Sequence, residues 1–586
     1  MKKIKILSTV LALLVGLSAF TGCNPAGGPG NGSANGNIEG KNASNATVIK
    51  IHNYDCGYGR GHIEETTKKF AELVKDVPYE EGKTGVFFEF LHTQTNSTGT
   101  WLLDSLKNNE YDVFFADSLD PGLVKESYAT YVRDVKDLVT QTSATPNANR
   151  FAEERSIMDR MYDDWANFYQ EPNGSVYVLP LFTSVALPIY DVELCEDRGL
   201  YIAEGSTDAE LILTNDKLEG CPGADGEKGT DDDGLPETYA QFYLWCDAMA
   251  NMGITPMIWS GQFQGMNVNA WSNLWADYEG YEQTKAIYTF DGQTVLTNLI
   301  DVDSNGNITE LPDVAITPEN GYMAMKQKGR YLNAQFFKKV SDNRGEWVDD
   351  RSYSPSESHT MAQDHYIGST YSRKPIMMLG EWAYWEAEAT GTFKDYEGRQ
   401  GGKTDRVFAT LPLPKADRSL IGTDMTLKVG TGGTMFIKNG IDENRLQAVE
   451  DFFMFYNSSD MMDVQNKEGA QPRPFEYEID ADVEATMSNF AKDVYRILHS
   501  DDIHLVYGND RNDFTTANRD YLAGAEWGLS SKYDANSDVT ETYVLKVMKD
   551  YNVSAEAWFN GLYNKWTYKA SATAKSLWDQ MLSRIN

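Results

Sequence analysis

The chain has 586 residues, with 52 Lys and Arg against 87 Asp and Glu, for a formal net charge of −35. Two or more lobes are expected, because this length exceeds what one compact core accommodates. So acidic a chain excludes a nucleic-acid partner, which would require a basic stripe. Aromatic residues make up 12% of the chain. This content favours a stacking site for a flat ligand, although core packing explains most single rings.

Residues 1–23 have the pattern of an export signal. Lysines at positions 2, 3 and 5 precede an apolar run that ends in small residues, and this order is typical of a signal peptide rather than a spanning helix. Residues 20–23, Phe-Thr-Gly-Cys, resemble the bacterial lipobox, in which the cysteine is lipidated and becomes the mature N-terminus. Cys23 is therefore the predicted lipidation site. A plain secretory signal with an incidental cysteine is the alternative.

Residues 24–46 predict a flexible tether between this anchor and the folded body. They are rich in Gly, Asn, Ser and Pro and nearly devoid of apolar residues, so they cannot bury a core. No later run approaches the 18 apolar residues of a spanning helix. We therefore expect an exported protein held by lipid on the outer face of the cell membrane.

Three predicted strands alternate with two predicted helices at the start of the folded body. The strands cover 48–52, 86–91 and 111–116, and the helices cover 63–74 and 101–106. This alternation predicts a parallel sheet of the α/β class, in which ligands bind at the carboxyl ends of strands. Asp55, Tyr58 and Arg60 after the first strand and Asp117 after the third are therefore candidate ligand-binding residues. For Asp117, a helix cap is the alternative.

Residues 174–201 contain two apolar runs interrupted by Pro180 and Pro188. Proline donates no hydrogen bond to a strand ladder, so such runs lie at sheet edges or where a strand leaves one sheet for another. The stretch therefore predicts either a crossing between two lobes or an edge hairpin. Asp191 begins a pattern typical of a helix N-terminus.

Several segments, taken in their order along the chain, carry a resemblance to a known protein family. They are TTKKFAE (66–72), YDVFFADS (111–118), GSVYVLPLFTSVALPIYD (174–191), LPETYAQFYLWCDAMANMGITPMIWSG (235–261), RKPIMMLGEWAYW (373–385), VFATLPLPK (407–415), AVEDFFMFYNSSD (448–460) and GAQPRP (469–474). In these segments the chain resembles family 1 of the extracellular solute-binding proteins that serve bacterial ABC importers. This family binds sugars and includes maltose-binding protein. The resemblance covers most of residues 48–475.

The resemblance implies a type II periplasmic-binding-protein-like fold, α/β in class, with two lobes joined by a multi-strand hinge. Lobe 1 would comprise 47–179 and 428–470. Lobe 2 would comprise 180–427 and 471–586, with inserts near 200–235 and 291–320. The crossing is then the favoured interpretation of 174–201, with Ser184 at the floor of the cleft. Glycines at 430–433 would supply a second, flexible crossing.

The motif Gly380-Glu381-Trp382 carries the implied binding site. In the family a tryptophan at this place packs its face on a sugar ring, and Glu381 and Tyr384 would bond the sugar hydroxyls. Trp259, at a predicted strand end, is a second stacking candidate. For both tryptophans, core packing is the alternative. The chain also departs from the family's best-known member: Ser184 stands where that member has a ligand-binding glutamate, and Cys56 stands where it has a lysine. The identity of the sugar therefore does not carry over.

Two acidic loops resemble calcium sites. One clusters carboxylates that would repel unless solvated or holding a cation, namely Asp225, Asp231, Asp233 and Glu237. The other, 301–312, matches several positions of an EF-hand loop but has Pro312 where a bidentate glutamate is needed. The same residues also predict a β-hairpin turned at Asn305 and Gly306. Structural calcium is the one cofactor considered. Cys195 and Cys221 are either a disulfide or free thiols.

Together these features predict a binding protein rather than an enzyme. It would capture a carbohydrate by closure of two lobes and deliver it to the permease subunits of an ABC importer. We expect this carbohydrate to be an oligosaccharide. A monomer is expected. Two alternatives belong to other classes: a polysaccharide-binding surface lipoprotein that does not transport, and a surface glycoside hydrolase with two carboxylates facing across the cleft.

Overall fold

The structure is a computed structural model that describes residues 37–55, 57–93, 99–108, 111–116, 130–369, 372–400, 406–469, 471–522 and 544–585. The predicted signal peptide with Cys23, most of the predicted tether, Cys56 and Asp117 lie outside the described residues.

The strands follow in chain order. They are β1 (Thr47–Tyr54), β2 (Val86–Thr93), β3 (Val113–Ala116), β4 (Leu179–Ser184), β5 (Ala186–Asp191), β6 (Tyr201–Ile202), β7 (Leu213–Thr214), β8 (Thr255–Trp259), β9 (Val295–Leu296), β10 (Ile300–Val302), β11 (Ile308–Glu310), β12 (Val314–Ala315), β13 (Ile376–Trp382), β14 (Phe408–Thr410), β15 (Met425–Ile437) and β16 (Ile503–Tyr507).

The helices lie between and after these strands. They are α1 (Gly61–Leu73), α2 (Gly99–Asn108), α3 (Lys136–Val139), α4 (Ile157–Arg160), α5 (Asp163–Tyr169), α6 (Val192–Arg198), α7 (Tyr239–Asn251), α8 (Gly265–Glu279), α9 (Tyr281–Thr289), α10 (Lys328–Asp342), α11 (Arg344–Trp347), α12 (His359–Ser369), α13 (Trp385–Glu388), α14 (Thr390–Gln400), α15 (Glu443–Tyr456), α16 (Ser459–Gly469), α17 (Ala481–Glu484), α18 (Asn489–His499), α19 (Asp513–Ala517), α20 (Arg519–Leu522), α21 (Val544–Asp550), α22 (Ala555–Thr567) and α23 (Leu577–Leu582).

The first large sheet has the order β16-β15-β3-β1-β2, with β4 also paired to β15. Strand β1 runs parallel to both β2 and β3, which confirms the predicted parallel sheet. Alternate residues of β1, such as Ile49 and Ile51, are fully buried. Helices α1, α15 and α16 pack together beside this sheet. Because β1, β2 and β3 are parallel, the loops that follow them lie at one edge of the sheet.

The second large sheet has the order β14-β5-β13-β8. Strand β13 is parallel to β8 and antiparallel to β5. Helix α8 lies against β5, β13 and β15, and both Trp271 and Trp275 on this helix are buried. The loops after β8 and β13 therefore lie at one edge of this second sheet.

The chain passes from one sheet to the other at Val185. Strand β4 pairs with β15 in the first sheet, whereas β5 pairs with β13 in the second. Every residue of both strands is buried, which an edge hairpin would not show. The predicted crossing is therefore confirmed. The long strand β15 also pairs with β16 in the first sheet, so the predicted assignment of 180–184 and 503–507 to lobe 2 differs from their sheet membership.

Arg473 stabilises strand β4 at the crossing through buried hydrogen bonds. Its guanidinium is fully buried and donates to the carbonyls of Leu181 and Pro180, at 2.9 and 2.8 Å. It also donates to the side chain of Asn457 at 2.7 Å. One side chain thus ties the segment after α16 to strand β4.

Three local predictions are confirmed. Asp191 caps α6 by accepting a hydrogen bond from the Leu194 amide at 3.1 Å. Strands β10 and β11 form the antiparallel hairpin predicted around Gly306. Cys195 and Cys221 are buried free thiols, the second of the two alternatives. No helix of the described residues is both long enough and apolar enough to cross a bilayer.

Candidate functional site

The loops at the carboxyl ends of the two sheets meet around Tyr58. Tyr58 follows β1 and packs against Phe182 of β4, with ring centroids 5.2 Å apart. Its ring also meets the edge of Tyr384, which follows β13, at 5.3 Å and an interplanar angle of 81°. Two of the predicted ligand-binding residues, one from each sheet, are thus in direct contact above the crossing strand.

Glycines make this close approach feasible. A Cβ atom on Gly57 would lie 2.5 Å from the ring of Tyr384, and one on Gly432 of β15 would lie 2.9 Å from the Tyr58 hydroxyl. Real Cβ contacts are essentially never so short. The sequence therefore needs glycine at both places for the first loop to touch the second sheet and the crossing strand.

Asp55 and Arg60 pair with each other across the same loop. Arg60 Nε donates to Asp55 Oδ2 at 2.9 Å, and the carboxylate is largely buried. This hydrogen bond raises the pKa of Arg60. The pair holds the loop that presents Tyr58. Ser184, the last residue of β4, is buried and lies opposite Gly430 in the strand register.

The second sheet contributes Glu381 and Trp382 at the end of β13. Trp382 is half-buried, whereas Glu381 is completely buried and accepts a hydrogen bond from the Trp382 amide at 2.9 Å. Burial raises the pKa of Glu381 to about 8; the nearby His359 lowers it and the charge of Glu388 raises it. This raised pKa favours the protonated carboxylic acid, which can donate as well as accept a hydrogen bond.

A buried polar group lies next to Glu381. His359 Nε2 lies 3.1 Å from Glu388 Oε1, and Gln363 donates to Glu388 Oε2 at 2.7 Å. Burial by itself lowers the pKa of His359, but the hydrogen bond to Glu388 and the charges of Glu388 and Glu381 hold it above its ordinary value. Glu388 also reaches the first loop, because its Oε1 would lie 3.2 Å from a Cβ on Gly57.

The structure places Trp259 in the core. Its side chain is 0% exposed and meets the edge of Tyr353 at 5.7 Å. Trp259 lies beside Gly380 in the register of β8 and β13, so it supports the motif from within the sheet. This position matches the core-packing alternative for Trp259, and Trp382 is the tryptophan of the motif that solvent reaches.

Several buried polar atoms at this edge have no hydrogen-bond partner in the described part of the chain. They are the Gln264 Oε1 atom and both side-chain amide atoms of Asn267. Asn267, near the start of α8, lies directly against Gly380. Buried polar atoms are normally paired, so these are the atoms at this edge that a ligand could satisfy. Sequence reasoning missed Gln264, Asn267 and His359, although the first two follow β8, where the strand-end rule points.

The four carboxylates of the predicted calcium loop do not gather into a metal site. Asp231 pairs with Arg496, and Glu237 pairs with Arg418 at 2.9 Å. Asp225 accepts the Glu227 amide at 2.8 Å, and Asp233 accepts the Gly229 amide, also at 2.8 Å. Across the described residues, no group of three or more His, Cys, Asp or Glu is placed to hold a metal ion.

Known structures share the fold of this chain. A protein studied for xylan utilization by the thermophilic bacterium Caldanaerobius polysaccharolyticus aligns over 88% of this chain and 99% of its own, with a TM-score of 0.51 and 11% identity. A chitin oligosaccharide binding protein aligns over 88% and 97%, with a TM-score of 0.49 and 11% identity. A family 1 extracellular solute-binding protein from Bifidobacterium longum subsp. infantis aligns over 89% and 99%, with a TM-score of 0.44 and 12% identity.

The first of these alignments, together with the two sheets and their crossing strands, confirms the two-lobed α/β fold that the resemblance implies. At such low identity the likeness concerns the fold. No protein-family model matches the sequence, and no curated protein is significantly similar to it.

Proposed function

We propose that this protein is the substrate-binding component of an ABC importer, anchored to the outer face of the membrane by lipid on Cys23. It captures a carbohydrate, an oligosaccharide by preference, between its two lobes and delivers it to the permease subunits. The two lobes close over the ligand by bending at the crossing strands. A ligand that contacts both lobes stabilises the closed state and so drives this closure.

The observation that carries this proposal is the meeting of the two sheets at their ligand-type edges. Tyr58 of the first loop touches Tyr384 beside Trp382, and unpaired buried polar atoms adjoin the same strand end. An apolar ring plane beside amides and carboxyl groups suits a pyranose, whose faces are apolar and whose rim carries hydroxyls. The structural neighbour studied for xylan utilization agrees with a carbohydrate ligand.

The test is a titration of mono- and oligosaccharides followed by tryptophan fluorescence, with the sugars analysed afterwards for cleavage. Trp382→Ala should weaken binding of the sugar found by about fivefold to thirtyfold, since a stacked ring contributes about 1–2 kcal/mol. Tyr568→Ala is the matched control, because Tyr568 is an exposed aromatic residue remote from the motif. Normal binding by Trp382→Ala would contradict the site.

The two alternatives make different predictions in the same experiment. A surface glycoside hydrolase would release shorter products from the sugars it binds. A polysaccharide-binding surface protein would bind polymer without compaction. The importer component should leave the sugars intact and shrink in radius of gyration on binding, as measured by small-angle X-ray scattering. Binding without compaction would contradict closure.

A further inference from the structure

A cavity of about 850 Å³ lies apart from the candidate site, and none of the site residues named above lines it. Its walls come from α5 and the segment before it, from α9, from residues 476–478, from the end of α18 and from β16. The proposed carbohydrate site does not use it. Aromatic and acidic side chains dominate its lining, and these two features define what it could bind.

The aromatic part of the wall is built around His499. Three tyrosine rings surround the imidazole: Tyr495 at 4.1 Å, Tyr477 at 5.2 Å and Tyr162 at 6.3 Å between centroids. Tyr162 also meets the edge of Trp165 at 5.9 Å. Tyr162, Tyr477 and Tyr495 are only partly buried and line the cavity. Aromatic faces of this kind attract cations.

The charged part of the wall is acidic. Its two basic residues are already paired, Arg155 with Glu476 at 2.6 Å and Lys285 with Asp164 at 2.7 Å. The lining has three further carboxylates that form no ion pair within the described residues. They are Asp163, Glu478 and Asp501, all exposed. The wall therefore has an excess of three negative charges beside the tyrosines, and a cleft with an excess of one sign of charge attracts the opposite sign.

We propose that this cavity binds a small organic polycation of the polyamine type. Each ammonium group would find a carboxylate or a tyrosine face, and the aliphatic segments between them would lie along the rings. A neutral sugar would leave the three carboxylates unbalanced. An anion would be repelled.

Spermidine binding to the full chain, measured by isothermal titration calorimetry at low ionic strength, tests the proposal. Saturable binding is expected. It should weaken at least tenfold in the double variant Glu478→Gln/Asp501→Asn, whose positions are exposed and should tolerate the change. The control is Asp313→Asn/Glu319→Gln, which removes two exposed carboxylates outside the cavity and should leave the affinity unchanged.

Two further comparisons separate this site from general attraction to an acidic protein. N1,N8-diacetylspermidine keeps the chain of spermidine but carries one positive charge instead of three, so it should bind at least tenfold more weakly. Tyr162→Phe should bind as the unsubstituted protein does, whereas Tyr162→Leu should bind several-fold more weakly because the ring is lost. The proposal is overturned if binding is not saturable, or if the cavity and control double variants weaken it equally. Equal affinity for the acetylated compound would also overturn it. These outcomes are independent of carbohydrate binding.

Discussion

Tyr58 and Tyr384 follow strands of different sheets, yet their rings meet edge to face with centroids 5.3 Å apart. The first ring follows β1 and the second follows β13, each at the carboxyl end of its strand. The contact therefore brings together the two edges at which α/β sheets bind ligands. Both residues can be changed, so the contact between the two edges can be tested directly.

Substitution of Gly57 by alanine should oppose this contact between the two loops. The new Cβ would lie 2.5 Å from the ring of Tyr384, so the first loop and the second sheet would have to separate. We expect carbohydrate affinity to fall at least about tenfold, which corresponds to about 1.4 kcal/mol. Small-angle scattering of the ligand-saturated variant should give a larger radius of gyration than that of the unsubstituted protein.

Gly345→Ala provides the control for this wedge. Gly345 lies in α11, and a Cβ there would meet no atom within 4 Å. It should alter neither affinity nor radius. If Gly57→Ala binds and compacts like Gly345→Ala, the contact between the two loops does not limit closure.

The buried carboxyl of Glu381 should make the stability of the protein depend on pH. Its pKa is about 8 in the folded protein against an ordinary value of 4.5. Between these values the folded state keeps a proton that the unfolded state has lost, so stability falls as pH rises. The full contribution is present below pH 4.5 and is lost through about pH 8. Glu381→Gln should flatten the stability–pH curve by up to about 1.4 kcal/mol per pH unit in this window.

Urea unfolding at several pH values measures this difference. Other buried carboxyl groups contribute to the same curve, since burial also raises the pKa of Glu279 to about 8. The comparison is therefore between slopes rather than absolute stabilities. The exposed Glu319→Gln variant should keep the slope of the unsubstituted protein. An unchanged slope in Glu381→Gln would mean that this carboxyl is ionised in the folded state.

Local patterns in the sequence predicted the elements that carry the site. Alternating apolar residues marked β1, and the two prolines marked the crossing, because proline is costly inside a regular ladder. Pro180 and Pro188 lie in β4 and β5, on opposite sides of the passage at Val185. Residues that act within a few positions of one another leave such signals.

The polar interior of the site left no comparable signal. Glu381 is predicted to bond the hydroxyls of the sugar, and the structure shows that its side chain is completely buried. The buried polar group beside Glu381 contains His359 on α12 and Glu388 on α13. These two residues are far apart in sequence and meet only in the folded protein. Trp259 and Trp382 look equivalent as strand-end tryptophans, but only packing decides which ring is covered. Burial and long-range pairing are therefore what the sequence alone could not supply.

Two of the three asparagines in helix α8, Asn267 and Asn273, are buried, and they differ in their partners. Asn273 donates to the Ala186 carbonyl at 3.1 Å and accepts the Lys428 amide at 3.0 Å. Both amide atoms of Asn267 have no partner in the described part of the chain. An unpaired buried amide lowers stability unless a ligand satisfies it. Asn267→Leu should therefore leave the free energy of unfolding unchanged or raise it by about 1 kcal/mol, while carbohydrate affinity falls.

Asn273→Leu should instead lower the free energy of unfolding. It strands a buried carbonyl and a buried amide, each of which costs about 1–3 kcal/mol, so unfolding in urea should occur at a markedly lower concentration. The two variants therefore distinguish an asparagine that serves ligand binding from one that serves packing. Each substitution removes one side-chain amide from helix α8. If Asn267→Leu destabilises the protein as much as Asn273→Leu does, Asn267 has a structural partner, and the unpaired edge at β13 is not a ligand site.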